Sequence, residues 1–194
     1  MSHRETDMPD VLPNVGRREL HSRQIQMKGY ERDDGLYEVE GRILDCKTYP
    51  FQAEGSPPVA PGQPIHHMWV RLVYDVDMRI HEVSAGTDDA PYADCFGASE
   101  SLQKLRGLVM SGGWSQEIRA RLGGANGCTH LTQMLQPMAT TAFQTISRVR
   151  QSRPAKRDAN GRPEKIDSCW SYASDRSIVA IRWPEHATRT RPEV

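Results

Sequence analysis

Strict alternation opens the readable part of the chain. His21, Arg23, Ile25 and Met27 alternate with Ser22, Gln24, Gln26 and Lys28, the period of two that a half-exposed edge strand requires. Asp33-Asp34-Gly35 carries turn chemistry. Residues 36–46 then repeat the alternation more strongly, with Tyr37, Val39, Gly41 and Ile43 on one side and Glu38, Glu40, Arg42 and Leu44 on the other. Residues 65–76 are the clearest strand. Met68, Val70, Leu72, Tyr74 and Val76 share one face, and Trp69, Arg71, Val73 and Asp75 share the other. A tight turn at 75–77 sends the chain back as a fourth strand over 78–85, a hairpin. The proline-rich stretch 49–64 reads as a long irregular loop.

Past residue 98 the period becomes helical. Short helices are expected over 99–108 and 114–122, the second capped near Ser115 and stopped by Gly123-Gly124. From Thr129 to about Gln151, Leu131, Met134, Leu135, Met138, Ala142, Ile146 and Val149 fall on one apolar stripe. Pro137 lies inside it and should bend the helix, because it has no N–H to give. A polar linker over 153–164 precedes a last strand at 177–182. The fold class that follows is α+β: a curved antiparallel sheet of about four to five strands packed on a long kinked helix with two shorter helices. The expected organisation is a flexible arm at 1–18, one domain over 19–183 and a tail at 184–194.

Charge narrows the partners. Lysine plus arginine number 25 and aspartate plus glutamate 25, so the basic excess of a phosphate-binding protein is missing and no nucleic-acid partner is expected. No stretch approaches the roughly 18 apolar residues of a membrane span. The first 14 residues lack the apolar segment of a secretory signal. Cys46, Cys95, Cys128 and Cys169 form no Cys-x-x-Cys pair, which suits free thiols in a reducing cytoplasm.

Candidate chemistry gathers where a glycine-rich loop enters the long helix, at Gly123-Gly124-Ala125-Asn126-Gly127-Cys128-Thr129-His130. The first N–H groups of a helix are unpaired and carry the positive end of its dipole, so a polarised oxygen is stabilised there. Thr129 is the expected N-cap. His66 and His67 open the best strand, and a histidine is a general base at neutral pH. Arg71 is expected to hold a carboxylate or phenolate in the same hollow. Asp88 is placed to orient a histidine, and Tyr92 to exchange a proton with a substrate oxygen. The expected catalytic set is His66, His130, Tyr92, Arg71 and Asp88, with Trp69, Cys128, Thr129 and Met134 binding substrate. No metal and no cofactor is assigned, although Cys128, His130, Cys169 and a distant histidine leave a zinc site open as an alternative.

Several blocks resemble a bacterial family catalogued as domain of unknown function 2889. They are Leu20-His21-Ser22-Arg23, Asp34 to Gly41, Asp45-Cys46-Lys47, Ile65 to Leu72, Thr87-Asp88 through Pro91-Tyr92 to Cys95, and Gly127 to Leu131. The resemblance spans roughly residues 20 to 183. The chain departs from it at His67, where relatives usually carry aspartate, and at Trp170, where histidine is frequent. The family label implies position rather than a reaction. The function expected is a cofactor-independent enzyme on a small aromatic or carbonyl-bearing molecule. Its most concrete form is a lyase that eliminates formaldehyde from a lignin-derived diaryl compound by histidine acid–base catalysis. A non-catalytic binding or accessory protein, possible as a homodimer, and a metal-dependent hydrolase or hydratase are the alternatives.

Overall fold

The computed structural model describes residues 15–188. Most of the arm expected at 1–18 and the end of the tail expected at 184–194 therefore lie outside the described residues. The chain divides into two compact units, Met1–Ile146 and Ser147–Val194.

The first unit is built on four antiparallel strands in sequential order: β1 (His21–Glu31), β2 (Tyr37–Lys47), β3 (Pro64–Tyr74) and β4 (Ile80–Asp89). Each alternation read from the sequence becomes two faces. On β2, Tyr37, Val39 and Ile43 are buried while Glu38, Glu40 and Arg42 turn away. Gly35 makes the β1–β2 turn with φ +81, a value only glycine adopts without strain. The β3–β4 turn is held by the Asp75 carboxylate, which accepts the N–H groups of Asp77 and Arg79 at 2.9 and 3.0 Å.

Helices cover the inward face. A 3-10 segment, Ala93–Leu105, stands where a short α-helix over 99–108 was expected, and it follows β4. Helix α1 (Trp114–Leu122) forms where predicted. Its N-cap is Gly113 in the left-handed region, so Ser115 lies inside the helix and does not cap it. The long helix α2 spans Thr129–Thr145, and Ile146 closes it. A separate short helix, α3 (Ser147–Gln151), continues the chain. Leu131, Met134, Leu135, Met138, Ala142 and Ile146 are buried as the stripe requires, but Val149 lies beyond the break and is exposed. Pro137 sits inside α2 as expected.

Two glycines let α2 lie close on the sheet. A Cβ on Gly41 would stand 2.9 Å from the Met138 sulfur, and one on Gly29 would overlap the Thr145 side chain. Tyr74 then donates its hydroxyl to the Ala142 carbonyl at 3.0 Å, and Trp114 Nε1 donates to the Leu135 carbonyl at 3.0 Å. Both buried donors thus have acceptors on α2.

In the second unit the expected strand at 177–182 is a helix, α4 (Ser177–Arg182). Val179 and its neighbour Ala180 are both buried while Ile181 is exposed, a pattern no alternating strand allows. A short apolar run with β-branched residues reads equally as strand or helix segment. The sheet of the described residues therefore has four strands.

Candidate functional site

The inward face of β2 does not stop at Ile43. Its next position is Asp45, whose side chain is 0% exposed and which is the buried charged residue of the described core. An ionised carboxylate out of water is costly unless paired and hydrogen-bonded. The strand register supplies the partners: Arg23 on β1 and His66 on β3 stand directly opposite Asp45 on either side. Arg23 reaches both oxygens, Nε to Oδ1 and Nη2 to Oδ2, each at 2.7 Å. His66 Nδ1 lies 3.0 Å from Oδ2, and His21 Nε2 lies 3.6 Å from Oδ1.

The first turn of α2 brings the last member. His130 is its second residue, and its ring stacks on that of His66 with centroids 3.7 Å apart and planes inclined by 30°. His130 Nε2 is 3.8 Å from Asp45 Oδ2, and Nδ1 is 3.9 Å from the Cys128 sulfur. Cys128 also meets the Met68 sulfur at 4.0 Å. Four separate elements thus meet on one carboxylate.

Burial and charge bias the protonation states. Burial works to raise the Asp45 carboxyl, but the Arg23 hydrogen bonds and charge, helped by His66 and His21, hold it below the usual carboxylate range. Burial lowers His66, with Arg23 and His21 adding to that, against the opposing pull of Asp45. Burial and then the His66 ring lower His130. Two stacked imidazoles cannot both carry charge cheaply, and the downward shift of each favours its neutral form near pH 7. An ionised carboxylate only accepts, so His66 Nδ1 must carry the proton it shares with Asp45. The tautomer this selects leaves the Nε2 lone pair of His66 unprotonated and basic.

Asp45, His66 and His130 also offer donor atoms that lie within 4.8 Å of one another, a spacing that could hold a metal ion. The donor set does not fit that use as it stands. Arg23 occupies both carboxylate oxygens and brings a fixed positive charge to the place a cation would take.

The expected residues divide between the two faces of the sheet. His66, His130, Cys128 and Thr129 come together at the start of α2. Thr129 is the first helical residue and Cys128 holds the N-cap position without a side-chain cap bond, so Thr129 is not the cap. Arg71 and Trp69 do not join them. They alternate with the buried Met68 and Val70 on β3, so they emerge on the outward face. There Arg71 pairs with Glu40 at 3.1 Å and Glu38 at 3.4 Å. A shallow depression on that face is lined by Glu40, Gly41, Arg42, Trp69, Val70 and Arg71. Asp88 is exposed and faces His67, 3.5 Å away on the outward side. Tyr92 is 52% exposed and precedes the 3-10 segment. Met134 is 0% exposed, a core residue with no face left for a ligand. Asp45, Arg23 and His21 were not expected. The available signal was the alternation 37, 39, 41, 43, which places a carboxylate at 45 on the core side.

A family model described as Protein of unknown function (DUF2889) matches residues 21–144. That segment begins at the first residue of β1 and ends inside α2, so it contains Arg23, Asp45, His66, Cys128 and His130. It ends well before residue 183, short of the span the resemblant blocks suggested. No curated protein and no solved structure matches the chain.

Proposed function

We infer the function from two premises: the chain belongs to the family Protein of unknown function (DUF2889), and its reactive groups converge on one buried carboxylate. The reading is an enzyme that works by acid–base catalysis through two histidines, without a bound cofactor. The observation that carries it is the Asp45–His66 hydrogen bond of 3.0 Å beneath the stacked His130 ring. A buried acid that orients a neutral imidazole is how a protein prepares a base for use near pH 7.

The reaction class that fits is a lyase on a phenolic diaryl compound bearing a primary alcohol. His66 Nε2 takes the hydroxyl proton, the oxygen lone pair becomes the carbonyl of formaldehyde, and the carbon–carbon bond breaks. The electron pair passes into the ring-conjugated carbon. A proton returns to that carbon from the imidazolium formed on His66, and His130, stacked on that ring, is the second group able to exchange a proton with the substrate. The unpaired N–H groups at the start of α2 favour negative charge developing beside them. Phenolic diaryl alcohols incubated with the purified chain should release formaldehyde, with the matching de-hydroxymethylated product in equal amount. Tight binding of these compounds with no product would instead identify a binding or accessory protein.

A further inference from the structure

Strand β1 is eleven residues long, contains no proline, and pairs with β2 in an unbroken register from His21 to Glu31. Among the described residues nothing pairs with its other edge. Nearly all of β1 is exposed, including Ile25 at 44% and Tyr30 at 40%. Natural sheets blunt such an edge with prolines, bulges or inward charges; this strand has no proline and no bulge, and of its inward charges Arg23 is taken up by Asp45 while Glu31 stands at the strand's end. Its sequence is also complementary to itself when run backwards. With Gln26 on a two-fold axis, basic His21 faces acidic Glu31, Ile25 faces Met27, Gln24 faces Lys28, and Ser22 faces Tyr30. Arg23, already committed to Asp45, meets only Gly29 and loses nothing. Every pair keeps inward residues with inward residues, as the pleat demands, and all eleven positions find a partner. Sliding the copies by two residues sets Ile25 against Gly29 or leaves His21 without its acid.

We propose that β1 is the interface of a homodimer, two copies pairing their β1 strands antiparallel about Gln26 into one continuous eight-stranded sheet. A two-fold contact of this kind is self-complementary by construction, and strand addition to an open edge is a common mode of recognition. The dimer has a consequence for chemistry. His21 stands 3.6 Å from Asp45, and the partner's Glu31 comes opposite His21, so each copy supplies one carboxylate beside the other's histidine cluster. The inference stands on the strand edge alone and holds whether or not the cluster is a lyase site.

Sedimentation velocity on the full chain, with oxidation of single-cysteine additions, tests it. Opposed residues of antiparallel strands have Cα atoms about 4.5–5.5 Å apart, within disulfide reach. Gln26→Cys should give a covalent dimer on mild oxidation beyond the background of the unsubstituted chain. Gln24→Cys should not, since its two copies stand about 14 Å apart, but mixing Gln24→Cys with Lys28→Cys should. All three positions are exposed, so the substitutions leave the fold intact. A monomer at about 50 μM, well above the micromolar dissociation constants of weak dimers, overturns the proposal. So does a dimer in which Gln26→Cys stays unlinked.

Discussion

His66 and His67 are adjacent on one strand, yet they occupy different chemical worlds. His66 turns inward to a fully buried Asp45 that Arg23 holds ionised, beneath a stacked imidazole. His67 turns outward to Asp88 and Asp89 at 3.5 and 3.7 Å, both carboxylates half-exposed. Each histidine has an acid beside it; what separates them is solvent. Water screens the outward pair to little net worth, whereas exclusion of water makes the inward carboxylate choose its partners and set a tautomer, and burial itself disfavours the charged form of both rings against the pull of that carboxylate. Proximity of a histidine and an acid is therefore weak evidence of function, and burial of the acid is the stronger sign.

The widest gap between the faces should appear on removing the acids. Asp45→Asn leaves Arg23 without its counter-ion and His66 with at most a neutral amide oxygen shared with Arg23, a loss of about 1–3 kcal/mol by urea unfolding. Asp88→Asn should change stability by no more than about 0.5 kcal/mol. Next comes the chemistry. His66→Gln and His130→Gln should each reduce formaldehyde release by about 10²-fold or more while diaryl binding is retained, and His67→Gln should leave turnover unchanged. On the outward face, a Cβ on Gly86 would stand 2.6 Å from the Trp69 ring. Gly86→Ala should therefore cost about 1–3 kcal/mol and leave turnover untouched, because Trp69 lies on the face away from the cluster.

The smallest effect is that of pH on stability. Folding holds both inward histidines below their ordinary value of 6.5. Between that value and the depressed ones the unfolded chain binds more protons, so their contribution is present above pH 6.5 and is lost as pH falls through the depressed range. Asp45 acts lower, its contribution vanishing as pH falls below about 4. Denaturation midpoints measured from pH 8 to pH 3 should show a shallow decline from about pH 6.5 and a steeper one below about 4. His66→Gln/His130→Gln should remove the first decline alone.

How much of this was legible in the letters differs between strands and site. Alternation over 21–28, 36–46 and 65–76 specified the sheet, and the stripe from Leu131 to Ile146 specified its cover, because periodicity records which side chains leave water. The helix at 177–182 was not legible, since six residues hold too few turns to separate the two periods. At the site, Cys128, Thr129 and His130 are suggested by chemistry at a helix start and His66 by its place at the head of a strand, and the structure brings these residues to one end of the sheet. Arg71 and Trp69 were placed wrongly, although the same alternation that put Met68 and Val70 inside already put them outside. Asp45 was passed over because it has no motif; only its parity with Ile43 marks it. Arg23 needed the β1–β2 register, a tertiary fact that spacing along the chain does not carry.

Nitrogen-15 NMR of imidazole-labelled histidines probes the inward cluster without any substrate. His66 should show Nδ1 protonated and Nε2 bare at pH 7, with a midpoint below 6.5 that moves in Asp45→Asn. A His66 signal with its proton on Nε2, or one that titrates as an ordinary exposed histidine and ignores Asp45→Asn, contradicts the account.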